Sequence, residues 1–309
     1  VYCHSFLFNI ARLPTFTSND IRNKNTSNKK CKMIRVLQSF HLHCEESNTH
    51  SIETFESLPL ERRQQLWSYV ASIRDPEILD WRRHLFPPSN YNYGEGRGEQ
   101  RRTRRIQEQA KKQRNLPVEI SNGLYLSNAV GASKIKRLKE LGITHVLNVG
   151  GKKAAIIPTN RYKKEGIVRK TIEAKDEYGY PMLKHHLPDA LKFVQSAQKK
   201  NGKCVIHCAQ GINRSCVLVA AVTMLLERKN VLEVVRHCRV QRGNIFMHTN
   251  WSFQEELVML AEKEGLLGPK PGSDEDMVLD GECVGILDSH KERYLTSSQG
   301  TSTSYFLSI

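Results

Sequence analysis

The segment that most constrains this chain is residues 203–229, KCVIHCAQGINRSCVLVAAVTMLLERK. Its opening, 204–207, reads as a buried strand. A short turn containing Gly211 follows, and from Arg214 an unbroken apolar stretch reads as a helix. A strand that feeds a helix through so short a turn makes an anion cradle. Residues 209–214 can point their backbone N–H groups inward, and Gly211 allows the close approach and unusual φ that such a turn needs. The helix aims its positive N-terminal end at the same point, and Arg214 adds a planar fork able to hold two phosphoryl oxygens. Cys208 sits at the mouth. The dipoles and guanidinium that attract phosphate would also hold its sulfur as a thiolate, and a thiolate facing a bound phosphoryl group is an activated nucleophile. A structural cysteine at a strand end, beside a structural arginine, is the plainer reading. It leaves the joint occurrence of strand, Cys, Gly, Arg, Ser and helix unexplained.

The surrounding block alternates strand and helix. Strands are expected at 123–127, 144–149, 168–172 and 204–207. Helices are expected at 132–141, with Ile135, Leu138 and Leu141 on one face and Gly142 as its stop, and at 187–199. This βαβ rhythm predicts an α/β fold with a mostly parallel central sheet and helices on both faces.

The residues His207-Cys208-x-x-Gly211-x-x-Arg214-Ser215 resemble the signature of cysteine-dependent protein phosphatases, specifically the dual-specificity branch. Further landmarks are GLYLSN at 123–128, GITHVLNV at 142–149, and Asn250 with Phe253 and Leu257, so the resemblance covers residues 118–265. It implies a dual-specificity phosphatase-like domain in which Ala209, Gln210, Gly211, Ile212, Asn213 and Arg214 form the phosphate-binding loop. It also implies a general acid on a loop after a strand, and Asp176, 32 residues before Cys208 in AKDEYGYP, fits that place. Glu173, Glu177 and Asp189 are the competing carboxylates; Glu177 is adjacent, and Asp189 falls inside the following helix. Chemistry requires such an acid because an alkoxide or phenoxide leaves poorly unless protonated as the P–O bond breaks. By the same resemblance Ser215 donates a hydrogen bond to the sulfur, His207 supports the loop through backbone contacts, and Asn250 ties the last helix to the loop. No metal or cofactor is implied, since Arg214 and the backbone N–H groups neutralise the phosphoryl oxygens. Three departures matter. Gln210 and Asn213 stand where many relatives have small residues. The loop holds no lysine of the kind that inositol-lipid phosphatases usually carry. The nearest look-alike of a tyrosine-specific pocket loop, Asn160-Arg161-Tyr162, lies only 46 residues before Cys208. The resemblance therefore points to phosphotyrosine, phosphoserine and phosphothreonine in proteins. A phosphatase of RNA 5′ ends or phosphoinositides is the alternative, and a non-catalytic phosphopeptide-binding module a remoter one.

Charge narrows the partners. The formal net charge is +15, divided by segment as +5 over 1–32, −3 over 33–96, +6 over 97–114, +12 over 115–271 and −5 over 272–309. The largest share lies on the block with the cradle, which favours phosphorylated protein substrates over nucleic acid. Expected organisation is an N-terminal extension without stable structure at 1–50, a helical segment at 51–90, a basic linker or arm at 91–115, the catalytic domain at 116–268 and an acidic tail at 269–309. Within 51–90, Leu60, Leu66, Trp67, Val70 and Ile73 fall at helical spacing, and a second short helix carries Ile78, Leu79, Trp81 and Leu85 after Asp75-Pro76. This hairpin is read as packing on the main domain, the alternative being that it docks a partner with the rest of 51–115. Residues 97–114 read as a solvated helix or arm. Lys111, Lys112, Leu116 and Val118 also fit a basic-spacer-hydrophobic docking peptide, although Val118 is better read as opening the first strand of the domain. Met33 is the expected initiator, with a targeting peptide as the alternative for the first 32 residues. His41, His43, Cys44 and His50 match no standard metal spacing and read as a polar loop. Eight cysteines without a CxxC pair, and no apolar run longer than 216–226, exclude a disulfide scaffold and a membrane span, and point to the cytoplasm or nucleus. Cys204 and Cys216 are candidates to resolve an oxidised Cys208.

Overall fold

The structure, a computed structural model, describes residues 53–74 and 97–276. Its sheet has five strands, β1 (Val118–Ser121), β2 (Leu124–Ser127), β3 (Ile143–Asn148), β4 (Val168–Thr171) and β5 (Lys203–His207), in the order β1-β2-β5-β3-β4. β1 pairs antiparallel with β2, and the other three ladders are parallel. The expected α/β architecture is the one found. β5 lies centrally and is buried from Cys204 to His207. In a parallel sheet the crevice beyond the strands' carboxyl ends is where ligands bind, and β5 delivers Cys208 to that edge.

Helices cover both faces. Tyr125, Val146 and Val205 share one face and pack under Leu138 of α4 (Ile135–Glu140) and Tyr162 of α5 (Thr159–Lys164). Against the other face lie α6 (Met182–Lys199) and α7 (Arg214–Glu227), which also pack on each other. Every residue of α7 from Ser215 to Leu225 is buried, so this helix is apolar all round because it runs through the interior. Each of its Val and Leu side chains contributes about 1.5–3 kcal/mol by leaving water. The remaining helices are α1 (Leu60–Ile73), α2 (Arg97–Arg114), α3 (Ala129–Ser133), α8 (Val231–Arg242) and α9 (Trp251–Lys263).

Several expectations need correction. The helix read over 132–141 is two short ones, α3 and α4, separated at Lys134, whose φ of −80° and ψ of 75° interrupt the ladder. The helix read from Leu187 begins at Met182 and runs through Pro188. Burial of Met182, Leu183, Leu187, Ala190, Leu191 and Val194 along one face outweighs the one backbone bond that proline removes. Residues 97–114, read from their charge run as a solvated helix or arm, form a helix, but not a wholly solvated one. It is helix α2, whose Ile106, Gln109, Ala110 and Gln113 are buried against the domain, and Lys112 donates to the Val240 carbonyl at 2.7 Å. Of the residues that also fit a docking peptide, Lys112 is engaged internally, Leu116 is buried and Val118 opens β1, the first strand of the domain.

The helix expected around 60–73 is α1. Leu66, Val70 and Ile73 are buried as its spacing requires, whereas Leu60 and Trp67 face outward. It is fastened to the C-terminal part of the domain: Arg62 pairs with Glu262 at 2.6 Å, and the Tyr69 hydroxyl donates to the Gly268 carbonyl at 3.0 Å. The second helix of the expected hairpin, residues 1–50 with the polar loop of His41, His43, Cys44 and His50, and the tail beyond 276 lie outside the described residues. Among the described residues, no helix is long and apolar enough to cross a membrane.

Candidate active site

The turn after β5 is held from behind. Ala209 O accepts from Ala129 N at 3.1 Å, Gln210 O from Arg242 Nη2 at 3.3 Å, Gly211 O from Arg242 Nε at 2.9 Å, and Ile212 O from Met247 N at 2.7 Å. In a trans peptide the N–H points opposite to the C=O. Four carbonyls tied outward therefore turn the amides of residues 210–213 toward the concave side, where Gly211 N donates to Cys208 Sγ at 3.2 Å. Gly211 has φ +66°, and a Cβ there would lie 2.7 Å from Ser127 O, so both its backbone angle and its tight seat exclude a side chain. Ser215, at the start of α7, donates to the same sulfur at 3.3 Å. Cys208 thus has two donors aimed at its sulfur at the positive end of an interior helix. His207 is buried, its Nδ1 lies 3.3 Å from Cys208 O, and burial pushes its imidazole down to about 4, so near neutrality it is an uncharged brace rather than a base.

Asp176 reaches this loop from the segment after β4. Its Oδ1 accepts from Asn213 Nδ2 at 3.2 Å and from Asn250 Nδ2 at 3.1 Å; its Oδ2 lies 3.3 Å from Arg214 Nε, an ion pair by distance though off the line a hydrogen bond needs. Arg214 Nη1 also donates to Ala174 O at 3.3 Å. Asp176, Cys208, Gln210, Ile212, Asn213, Arg214 and Asn250 all line one cleft of about 560 Å³, joined by Tyr178, Thr249 and Trp251. The competing carboxylates are engaged elsewhere. Glu173 accepts from Lys152 N, Glu177 lies 3.7 Å from Lys175, and Asp189 pairs with Lys170 at 2.8 Å. Asn160, Arg161 and Tyr162 belong to α5 and do not line the cleft; the Tyr162 hydroxyl donates to Ala132 O.

Asn250 reaches across to the acid segment, donating also to Glu177 O at 3.3 Å, and Asn213 Nδ2 bonds Thr249 Oγ1 at 2.6 Å. Sequence reasoning missed the rim. Tyr178 and Trp251 are 65% and 52% exposed at its edge. The Tyr178 hydroxyl donates to Glu56, just before α1, and that bond with partial burial pushes the phenol up to about 12. The Arg74 guanidinium lies 4.4 Å from the centroids of both the Trp67 and Trp251 rings and pairs with Glu255 at 3.2 Å. Arg242 was missed as well, since in sequence it is one more cation at the end of a basic helix. Cys204 and Cys216 are fully buried and burial pushes both thiols up, which disfavours the thiolate that disulfide exchange needs. Among the described residues, no three His, Cys, Asp or Glu side chains gather as a metal site.

Comparison with known proteins follows from this geometry. The catalytic domain of the dual specificity phosphatases matches residues 124–263. Dual specificity protein phosphatase 26 of Homo sapiens is 34% identical over 143 residues, 46% of this chain and 65% of that protein. Dual specificity protein phosphatase 13B of Homo sapiens is 28% identical over 148 residues, 48% of this chain and 73% of that one. The chain thus spans just under two thirds of the first of these. Among solved structures, human DUSP28 superposes over 48% of this chain and 94% of its own, at 19% identity and a TM-score of 0.42.

Proposed function

We propose that this chain, whose residues 124–263 match the catalytic domain of the dual specificity phosphatases, hydrolyses phosphate monoesters of tyrosine, serine and threonine in proteins through a phosphocysteine. The observation that carries this reading is that the Cys208 sulfur, faced by two donors, and the Asp176 carboxylate line one cleft. The Cys208 thiolate attacks phosphorus, the ester P–O bond breaks, and the leaving oxygen takes the proton of Asp176. The Asp176 carboxylate then removes a proton from water, whose oxygen attacks phosphorus. The S–P bond breaks, inorganic phosphate leaves and the thiolate returns, its charge accepted by Ser215 and the loop amides. Arg214 and the amides of 210–213 stabilise the equatorial oxygens in both steps. Protein substrates are favoured over RNA because α2, the most basic segment, spends part of its surface against the domain.

Hydrolysis of p-nitrophenyl phosphate tests the chemistry. Cys208→Ser is expected to abolish turnover while leaving the circular dichroism spectrum unchanged. Asp176→Asn should lower kcat roughly 100-fold or more, the usual contribution of a positioned acid. Full activity in Cys208→Ser would rule the mechanism out, and phosphopeptides carrying each of the three phosphoresidues test the breadth.

A further inference from the structure

Helix α2 lies outside the residues that match the family's catalytic domain, yet it reaches the back of the phosphate loop. Gln113 is buried on its last turn, where its Oε1 accepts a hydrogen bond from Arg242 Nη2 and its Nε2 donates to Gln210 O at 3.5 Å. One turn earlier, Gln109 Nε2 donates to Arg242 O at 3.2 Å. The seat is close: a Cβ on Gly243, at φ +97°, would lie 2.0 Å from Gln109 Oε1. Arg242 is fully buried, and among the described residues no carboxylate pairs with it. Its position is set by neutral acceptors alone: the Gln113 amide and the carbonyls of Gln210 and Gly211.

Those two carbonyls matter because of the amides they share peptides with. Gln210 O belongs to the peptide of Gly211 N, which donates to the Cys208 sulfur, and Gly211 O to the peptide of Ile212 N. If the carbonyls swing, the amides leave the cradle. On the phosphatase reading above, we infer that Gln113 and Arg242 are positioning residues, a relay through which α2 sets the inward orientation of the phosphate-binding amides. The support of the phosphate loop then extends, through Gln113, to a helix outside the residues that match the catalytic domain. A guanidinium buried without a carboxylate partner is stable only while its acceptors are in place, so loss of the Gln113 oxygen is felt at the loop carbonyls that remain.

Gln113→Met tests this in the full chain, because it keeps the side chain's length and volume while removing both polar atoms. Two measurements are made: inhibition by orthovanadate, a phosphate mimic, and hydrogen exchange of the backbone amides of residues 208–213 in the ligand-free protein. Gln113→Met should weaken orthovanadate about 5–10-fold, the worth of one or two hydrogen bonds, and quicken loop exchange. Gln113→Glu restores an acceptor for Arg242 and should return both toward wild type. Lys112→Met, which removes the neighbouring tie from α2 to Val240 O, should lower thermal stability while leaving orthovanadate inhibition unchanged. The relay is overturned if Gln113→Met matches wild type in both measurements, or if Lys112→Met weakens orthovanadate equally. A wild-type chain that hydrolysed no phosphate ester would end the phosphatase reading and leave amide exchange to decide the relay.

Discussion

Asp176 illustrates how much one carboxylate depends on its neighbours. Two amides, from Asn213 on the phosphate loop and Asn250 at the head of α9, donate to the same oxygen, Oδ1. On the proposed mechanism the other oxygen, Oδ2, which lies 3.3 Å from Arg214 Nε, is the one that exchanges the proton. Asn213→Ala and Asn250→Ala should each lower kcat toward p-nitrophenyl phosphate about 5–20-fold with little change in KM, since the acid acts in the transition state rather than in binding. The double variant should fall no further than Asp176→Ala, because all three act through one group. Cys208, Gly211 and Arg214 were legible in the sequence because they fall within seven consecutive residues at a recognisable spacing. Asn213 was legible as a loop member but not as a tie, and Thr249, Trp251 and Arg242 were not legible at all. Each reaches the site by folding from a distant segment, and nothing in its local pattern distinguishes it from an ordinary surface or helix residue.

At the scale of elements, α2 shows a charge run concealing a buried stripe. Ile106, Gln109, Ala110 and Gln113 fall three and four apart, which is one helix face. Two of the four are glutamines, so a hydrophobic pattern search passes over them. Helix α9 carries a different consequence. Burial pushes the adjacent carboxyls Glu255 and Glu256 up to about 7, with Arg74 opposing the shift at Glu255 and the Leu183 amide opposing it at Glu256. The unfolded chain releases these protons near pH 4.5, so between that pH and 7 the folded state holds protons the unfolded one has lost. Stability is therefore expected to fall as pH rises through this window. Glu256→Gln should flatten the profile of melting temperature against pH and raise the value at pH 7.5 by about 2–4 °C. A melting temperature that climbs from pH 5 to 7 in the wild type would contradict this.

At the scale of the whole molecule, the sheet order sets β5, the last strand in sequence, between β2 and β3, which brings Cys208 to the centre of the sheet edge. The alternation of strands and helices made that architecture readable, while the packing of α1 and α2 onto it depended on contacts more than a hundred residues apart. The charge acts at this scale too. Residues 115–271 carry +12, and a screening length of about 8 Å near 0.15 M salt leaves that field effective at the cleft only in dilute buffer. Raising salt from 50 to 500 mM should lower kcat/KM several-fold for an acidic phosphopeptide and less for p-nitrophenyl phosphate, as expected for a substrate steered by many charges. Equal salt sensitivity of the two substrates would place the effect at the phosphate alone.

The arginine clasped between Trp67 and Trp251 has a practical corollary. Trp251 is half open to solvent on the wall of the cleft, and a guanidinium lies against its ring. An indole so placed emits according to what lies beside it, and the chain has only three tryptophans. Ligand entering beside Trp251 changes the polarity around one of the few fluorophores the molecule possesses. The protein carries its own optical gauge of cleft occupancy, with no label or substitution added.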